Sequence, residues 1–213
     1  MGFYERCIFP VLIDRALRNE EASVRRACLV PRAHGVVLEV GIGSGLNLPF
    51  YGPDVSGIVG LDPSPTLLTK TRERASRQGL SVLLLQGSAE TIPLASRTID
   101  TLVMTWTLCS IPDPLKALRE MRRVLRVDGH LLFIEHGLAA DRPVARWQRR
   151  LDPLWRRISC HLDRSVDRLL EEAGFVIEEM ETGYAGQGPR VASYLYQGWA
   201  RPGEDRSLWP AAS

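Results

Sequence analysis

Between residues 36 and 135, five short apolar runs alternate with stretches long enough to form helices. The runs are Val36–Val40, Gly57–Leu61, Ser81–Gln86, Ile99–Thr105 and Leu131–Glu135, and helices are expected near Pro65–Gln78 and over Pro114–Arg126. An apolar run of about five residues has no polar face to give to water, so it suits a strand buried on both sides. Parallel strands need a crossover between them, usually a helix. The pattern predicts an α/β chain with a largely parallel, doubly wound sheet. A length of 213 residues, 45% of them hydrophobic and 24% charged, suits one such domain.

The two ends break the alternation. Residues 3–30 read as helical, through the stripe Phe3, Ile8, Phe9, Leu12, Ile13, Ala16 and Leu17. A break near Asn19 divides that stretch, and Pro31 to Gly35 ends it. Near the other end, Arg142–Ile158 is a helix rich in arginine and tryptophan, and Asp163–Ala173 is a second helix, with Asp163 suited to cap its start and Gly174 its end. Phe175–Thr182 and Val191–Trp199 read as two strands joined through Gly183–Arg190, and such a pair can lie antiparallel at a sheet edge. From Pro202 the chain is polar. The organisation expected is an N-terminal helical cap over 1–35, the main domain over 36–200 and a loose tail over 201–213.

Several function classes lose ground. A formal charge of +2 does not by itself argue for a polyanionic partner, and no nucleic-acid-binding module is visible. No apolar run approaches the roughly 18 residues of a membrane span. Asp14 and Arg15 interrupt the first apolar stretch, which argues against a signal peptide and makes a cytoplasmic location the expectation. Cys7, Cys28, Cys109 and Cys160 are scattered without a CxxC pair, and the four histidines have no ligand spacing, so no bound metal is expected.

The sharpest motif follows the first strand: Glu39-Val40-Gly41-Ile42-Gly43-Ser44-Gly45. Glycines tolerate positive φ and let a ligand approach the backbone. Asp62 closes the next apolar run, 21 residues after Gly41, where a nucleotide-binding α/β fold sets an acid against ribose hydroxyls. The alternative for Asp62 is a cap for the helix after Pro63-Ser64-Pro65. A dinucleotide fingerprint is GxGxxG, whereas here the glycines stand at 41, 43 and 45 and position 46 is Leu46, which disfavours an NAD-dependent dehydrogenase.

That spacing resembles the E-x-G-x-G-x-G signature of class I S-adenosylmethionine-dependent methyltransferases, and the resemblance continues over residues 36–182. Gly87-Ser88-Ala89-Glu90 with Ile92-Pro93-Leu94 is similar to the family's adenine-contacting G-D-A-E-x-L-P-F segment, with Ser88 in place of the usual Asp. Ile99-Asp100 resembles the start of the family's fourth strand, and Leu118–Gly129 its E-x-x-R-V-L-K-P-G-G segment. The resemblance implies a Rossmann-like domain with a seven-stranded sheet, the last strand antiparallel, and S-adenosylmethionine as cofactor. The contacting residues it implies are Tyr4, Glu39, Gly41, Gly43, Gly45, Asn47, Asp62, Pro63, Ser88, Ala89, Glu90 and Thr105. Tyr4 enters because Phe3-Tyr4-Glu5-Arg6 resembles the opening of quinone and phosphatidylethanolamine methyltransferases, whose N-terminal helix closes over the cofactor.

The acceptor should lie beside the segments after the fourth and fifth strands, Thr105–Pro114 and Glu135-His136-Gly137. His136, His161 and Asp163 are the catalytic candidates, each with a structural alternative as a hydrogen-bonding or capping residue. Glu135-His136, the stretch from Trp147 to Trp155, and Cys160-His161-Leu162 with Arg164 resemble thiol S-methyltransferases of the mammalian endoplasmic reticulum and their bacterial relatives. The resemblance implies a small, fairly apolar thiol as acceptor. N-, O- or C-methylation of a lipid headgroup, quinone or natural-product phenol or amine stays open, as does a non-catalytic cofactor-binding scaffold. Eight arginines among residues 141–170, with Trp147 and Trp155 between them, could touch an anionic membrane peripherally or present a solvated helix face. Oligomeric state is not legible.

Overall fold

Seven strands form one sheet in the computed structural model, which describes residues 17–156, 160–186 and 188–203. The strands are β1 (Gly35–Val40), β2 (Val55–Asp62), β3 (Val82–Gln86), β4 (Ile99–Thr105), β5 (Leu125–His136), β6 (Phe175–Tyr184) and β7 (Tyr194–Pro202). Their order is β3-β2-β1-β4-β5-β7-β6. The first five strands pair in parallel, and β7 lies antiparallel between β5 and β6. Among the described residues, the helices of at least seven residues are α1 (Glu20–Leu29), α2 (Pro65–Arg77), α3 (Pro114–Val124), α4 (Arg142–Trp155) and α5 (Val166–Glu172).

Alternate residues of the central strands feed two different cores. Leu102 and Met104 of β4, with Leu131 and Phe133 of β5, pack against Leu118 and Met121 of α3 and Leu170 of α5. Val103, Leu132 and Ile134 face the opposite way, toward Leu29 of α1. Ile58 on β2 packs with Leu68 and Ala75 of α2 in a third cluster. This two-sided burial is why the strands read as continuous apolar runs. The result is a single Rossmann-like α/β domain.

Helix starts follow local chemistry. Asn19 Oδ1 accepts from Ala22 N at 2.8 Å, which places the expected break at the cap of α1. Ser64 caps α2 and Asp113 caps α3, each followed by a proline at the first helical position. Asp62 is therefore not the cap of α2.

Four expectations shift. The helix expected over Pro114–Arg126 stops at Val124, because Leu125 is buried and pairs with Ile99 at the start of β5. The helix expected from Asp163 begins at Val166 after Ser165, leaving Asp163 in the preceding segment. The last strand begins at Tyr194, after a short 3₁₀ turn over Arg190–Ala192. That strand also runs through Arg201 and Pro202, two residues of the expected tail. Its end is anchored by Gly203, whose N donates to Gly174 O at 2.8 Å and whose O accepts from Arg122 at 2.9 Å. The helix expected over the first residues of the chain lies outside the described residues.

Candidate active site

The strand order reverses between β1 and β4, so their carboxyl ends splay apart and open a crevice, the usual ligand position in such sheets. The glycine loop leaves β1 on one side of it. Gly41, Gly43 and Gly45 all have positive φ, at 71°, 56° and 75°. A Cβ on Gly41 would overlap Thr107, and one on Gly45 would press on Leu48, so both positions are closed by the fold. At Gly43 an added Cβ would meet nothing nearer than the Gly41 carbonyl, at 3.9 Å. The crest of the loop is thus open on the side where a ligand would lie.

The loop is held from below. Thr71 of α2, fully buried, donates through Oγ1 to Gly43 O at 2.6 Å. Asp62 accepts from Gly43 N at 3.0 Å and from Ser64 N at 2.8 Å, one bond to each carboxylate oxygen. Each oxygen keeps lone-pair capacity for a further donor, which suits a ribose diol. Burial raises the Asp62 pKa, and the two backbone donors oppose that shift.

A second network lies behind the loop. Buried Glu39 accepts from Asn47 Nδ2 at 3.0 Å and from the Tyr51 hydroxyl at 2.7 Å. Asn47 also donates to Thr105 Oγ1 at 3.1 Å and accepts from Arg26 Nε at 3.0 Å. The Arg26 guanidinium sits 4.7 Å from the centre of the Trp106 ring. Burial pushes the Glu39 pKa up to about 8, against the opposing effects of Tyr51, Arg26 and Asn47. Arg26 and Tyr51 were not expected from sequence. Arg26 carried a signal nonetheless, because it shares the buried face of α1 with Ala22 and Leu29, where an unpaired arginine is unusual.

The other expected cofactor residues divide. Ser88 is exposed, donating through Oγ to Glu90 Oε2 and accepting from Glu90 N, both at 3.2 Å. Glu90 reaches on to Asp113 N at 2.7 Å and ties the turn after β3 to the start of α3. Ala89 is half-buried and Pro63 exposed, and Tyr4 lies outside the described residues.

Across the crevice, the segment after β4 is strained and clamped. Trp106 has φ 51°, a left-handed conformation uncommon for a bulky side chain. Trp106 N donates to Ile134 O at 2.7 Å, and Glu135, fully buried, accepts from Thr107 N and Leu108 N. Burial raises the Glu135 pKa to about 8, with these backbone donors opposing.

Beyond Trp106 opens a cleft of about 840 Å³, whose walls include Leu17, Trp106, Cys109, His136, Trp155 and Cys160. His136 is 8% exposed, and neither ring nitrogen has a hydrogen-bond partner among the described residues. Burial pulls its pKa down to about 4; the Val191 main chain opposes this without meeting hydrogen-bond geometry. The ring is neutral at pH 7. Gln148 of α4, buried and unforeseen, holds the neighbouring main chain by donating to Gly137 O and Val191 O and accepting from Ala139 N.

His161 and Asp163 are not among the residues lining this cleft. They gather instead around buried Asp152, with His161 Nδ1 3.7 Å from Asp152 Oδ1. The three side chains bring their possible ligand atoms within 4.8 Å of one another. Asp152, however, already accepts from Leu162 N at 2.9 Å and from the Arg156 guanidinium.

Comparisons with known proteins agree with this geometry. A family model for a methyltransferase domain matches residues 38–133. A phosphatidylethanolamine N-methyltransferase from Cereibacter sphaeroides is 29% identical over 163 residues, covering 76% of this chain and 80% of that protein. The human thiol S-methyltransferase TMT1B is 35% identical over 151 residues, covering 68% of this chain and 62% of that protein. This chain therefore spans only about three fifths of the thiol methyltransferase. Among solved structures, the YcgJ protein of Bacillus subtilis superposes with a TM-score of 0.67 at 16% identity, over 92% of this chain and 99% of that one.

The fold is that of the class I S-adenosylmethionine-dependent methyltransferases. Joined to the glycine loop and to Asp62, it makes this chain an S-adenosylmethionine-dependent methyltransferase with that compound as its cofactor. The open crest at Gly43 and the paired oxygens of Asp62 fit it. When bound, the cofactor supplies a methyl group on a sulfonium centre.

Proposed function

We propose that the enzyme methylates the sulfur of a small, fairly apolar thiol bound in the cleft beside Trp106 and His136. One observation carries the reading: an apolar-walled cleft of about 840 Å³ holds the nearly buried His136 and the Cys160 thiol together, with buried Arg164 close by in sequence. The Cys160 pKa is lowered, first by a hydrogen bond from Cys109 and then by the Arg164 guanidinium, although burial works against it. Arg164 is itself 8% exposed and donates to Leu108 O and Ile111 O. The Arg164 charge, which lowers the Cys160 pKa, would also favour an acceptor thiolate bound beside it, and the thiolate is the nucleophile.

His136 is assigned as the proton acceptor. A neutral imidazole with two unpartnered nitrogens can accept a hydrogen bond from an incoming S–H. Transfer of that proton forms a thiolate–imidazolium pair in which each charge stabilises the other, offsetting the desolvation that depresses the free imidazole. Trp106 and Trp155 supply the apolar wall and exclude water, leaving alignment to lower the barrier. His161 and Asp163 are assigned to positioning, through Asp152 and the segment that carries Cys160. Residues 1–35 are proposed as a helical cap, supported by the bond from Arg26 to Asn47 behind the glycine loop.

A specific surface favours a second reading, a lipid-like acceptor met at a membrane. Arg142, Arg146, Arg149 and Arg150 of α4 line a groove of about 530 Å³, and Trp147 and Leu154 are more than half exposed on the same helix. Among the described residues no helix is long and apolar enough to cross a membrane, so such contact would be peripheral. A cytoplasmic location is proposed on either reading.

Purified protein, supplied with S-adenosylmethionine and a panel of alkyl and aryl thiols, is expected to yield S-methyl products. Robust methylation of an amine, phenol or phospholipid with no S-methyl product would reject the first reading. Co-sedimentation with phosphatidylglycerol vesicles but not with phosphatidylcholine vesicles would support the second.

A further inference from the structure

Two thiols meet in the wall of the acceptor cleft. Cys109 lies in the 3₁₀ turn after β4 (Leu108–Ser110) and is buried, whereas Cys160 lies between α4 and α5 and is half-buried. Both line the cleft. They are 51 residues apart in the chain, so no CxxC spacing announces them. The main chains beside them are joined, with His161 N donating to Cys109 O at 2.9 Å, and the two thiols share a hydrogen bond. A disulfide needs facing Cβ atoms and Cα atoms within about 7 Å. The main-chain bond between Cys109 O and His161 N, one residue after Cys160, brings the two cysteine backbones close to that range.

We propose that Cys109 and Cys160 form a reversible disulfide, an oxidative modification site that locks the wall of the acceptor cleft and suppresses methyl transfer. The oxidant is a low-molecular-weight disulfide. The Cys160 thiolate attacks one of its sulfurs, the S–S bond breaks, and the first thiolate leaves and takes up a proton. Cys109 then gives up its proton and attacks the Cys160 sulfur of the mixed disulfide, releasing the second thiol. Two protein sulfurs are oxidised and one external disulfide is reduced to two thiols. Excess thiol reverses both exchanges.

The order follows from the surroundings. Cys160 is the more accessible thiol and the more acidic, while Cys109 is buried and its pKa is raised by their shared hydrogen bond and by burial. In a reducing compartment such a bond is transient, as expected for a sensor rather than a structural link. The closed bond would tie the Leu108–Ser110 turn, which supplies Cys109, to the segment that supplies Cys160 and Leu162 to the same wall. The glycine loop and Asp62 lie outside this wall. The proposal does not depend on the acceptor being a thiol.

The test oxidises the full chain with oxidised glutathione, maps its peptides by mass spectrometry and follows cofactor binding by calorimetry. The expected result is a linked pair of peptides containing Cys109 and Cys160, retained affinity for S-adenosylmethionine, and loss of methyl transfer that dithiothreitol restores. Cys160→Ser, or Cys109→Ser should that variant fail to fold, is expected to show no further loss on oxidation. Both thiols remaining alkylatable after full oxidation, pairing with Cys28 instead, or a linked pair with undiminished turnover would each overturn the proposal. The peptide map needs neither an active acceptor nor a variant, so it stands apart from the assignment of the substrate.

Discussion

The two sides of the crevice differ in one buried polar group. On the cofactor side, Glu39, Asn47, Thr71 and Asp62 are each hydrogen-bonded within the protein. On the acceptor side, His136 is almost as deeply buried yet leaves both ring nitrogens without a partner. A buried polar group without a partner costs about 1–3 kcal/mol, so a site that keeps one has a use for it. The contrast supports the proposed reading, in which the cofactor side would be built in advance around one constant molecule and the acceptor side would keep a group for the substrate to satisfy.

The largest expected effect tests that division directly. Asp62→Ala removes a carboxylate placed to accept two hydroxyls, and charged hydrogen bonds contribute about 1.5–3 kcal/mol each. Calorimetry should show the affinity for S-adenosylmethionine falling by about 10³-fold. His136→Gln should leave that affinity within about threefold; equal weakening by both substitutions would show the two sides to be one cooperative unit. The same His136→Gln variant should lower kcat/KM for a thiol acceptor by about 10²-fold, the lower end for a general base, because a thiol is already partly ionised at neutral pH. Unchanged kcat/KM would remove His136 from the chemistry.

Stability should also depend on pH with opposite signs at Glu39 and at His136. Glu39 has a folded pKa of about 8 against an ordinary 4.5, so the native state holds its proton more tightly than the unfolded chain does. Its contribution falls as pH rises from 4.5 to 8. His136 has a folded pKa of about 4 against 6.5, and its contribution falls as pH drops from 6.5 to 4. Thermal melts should therefore show Glu39→Gln gaining on the wild type between pH 5 and pH 8, by roughly 3–4 kcal/mol, and His136→Gln gaining on it between pH 6.5 and pH 4. Parallel pH profiles for both variants and the wild type would contradict the burial of these groups.

The smallest effect concerns the strained residue between the two sides. Trp106→Gly and Trp106→Ala both lose the ring beside Arg26, but only glycine tolerates φ near 51°. The glycine variant should be the more stable of the two by about 1 kcal/mol, a difference readable in urea midpoints. Equal midpoints would mean that the turn carries no strain.

The cofactor side was largely legible because its signals are local. Glycines at 41, 43 and 45 mark a loop that must adopt positive φ, and Asp62 closes the strand beside β1. Cap positions were harder to place. Asp163 and Ser165 are both good helix caps, and neighbouring Asp152 settles where Asp163 lies. The end of α3 was misread for a similar reason: Val124 and Leu125 are both buried, but Leu125 belongs to the sheet.

From the order of residues alone came the alternation of buried strands with helices, the cofactor loop and its acid. Each of these rests on a backbone period or a turn that neighbouring residues impose on themselves. Only the folded chain decided that Arg26 would reach Asn47, that His136 would be buried without a partner, and that Cys109 would meet Cys160. Those outcomes depend on which distant side chains crowd or desolvate a group, and sequence spacing does not encode that.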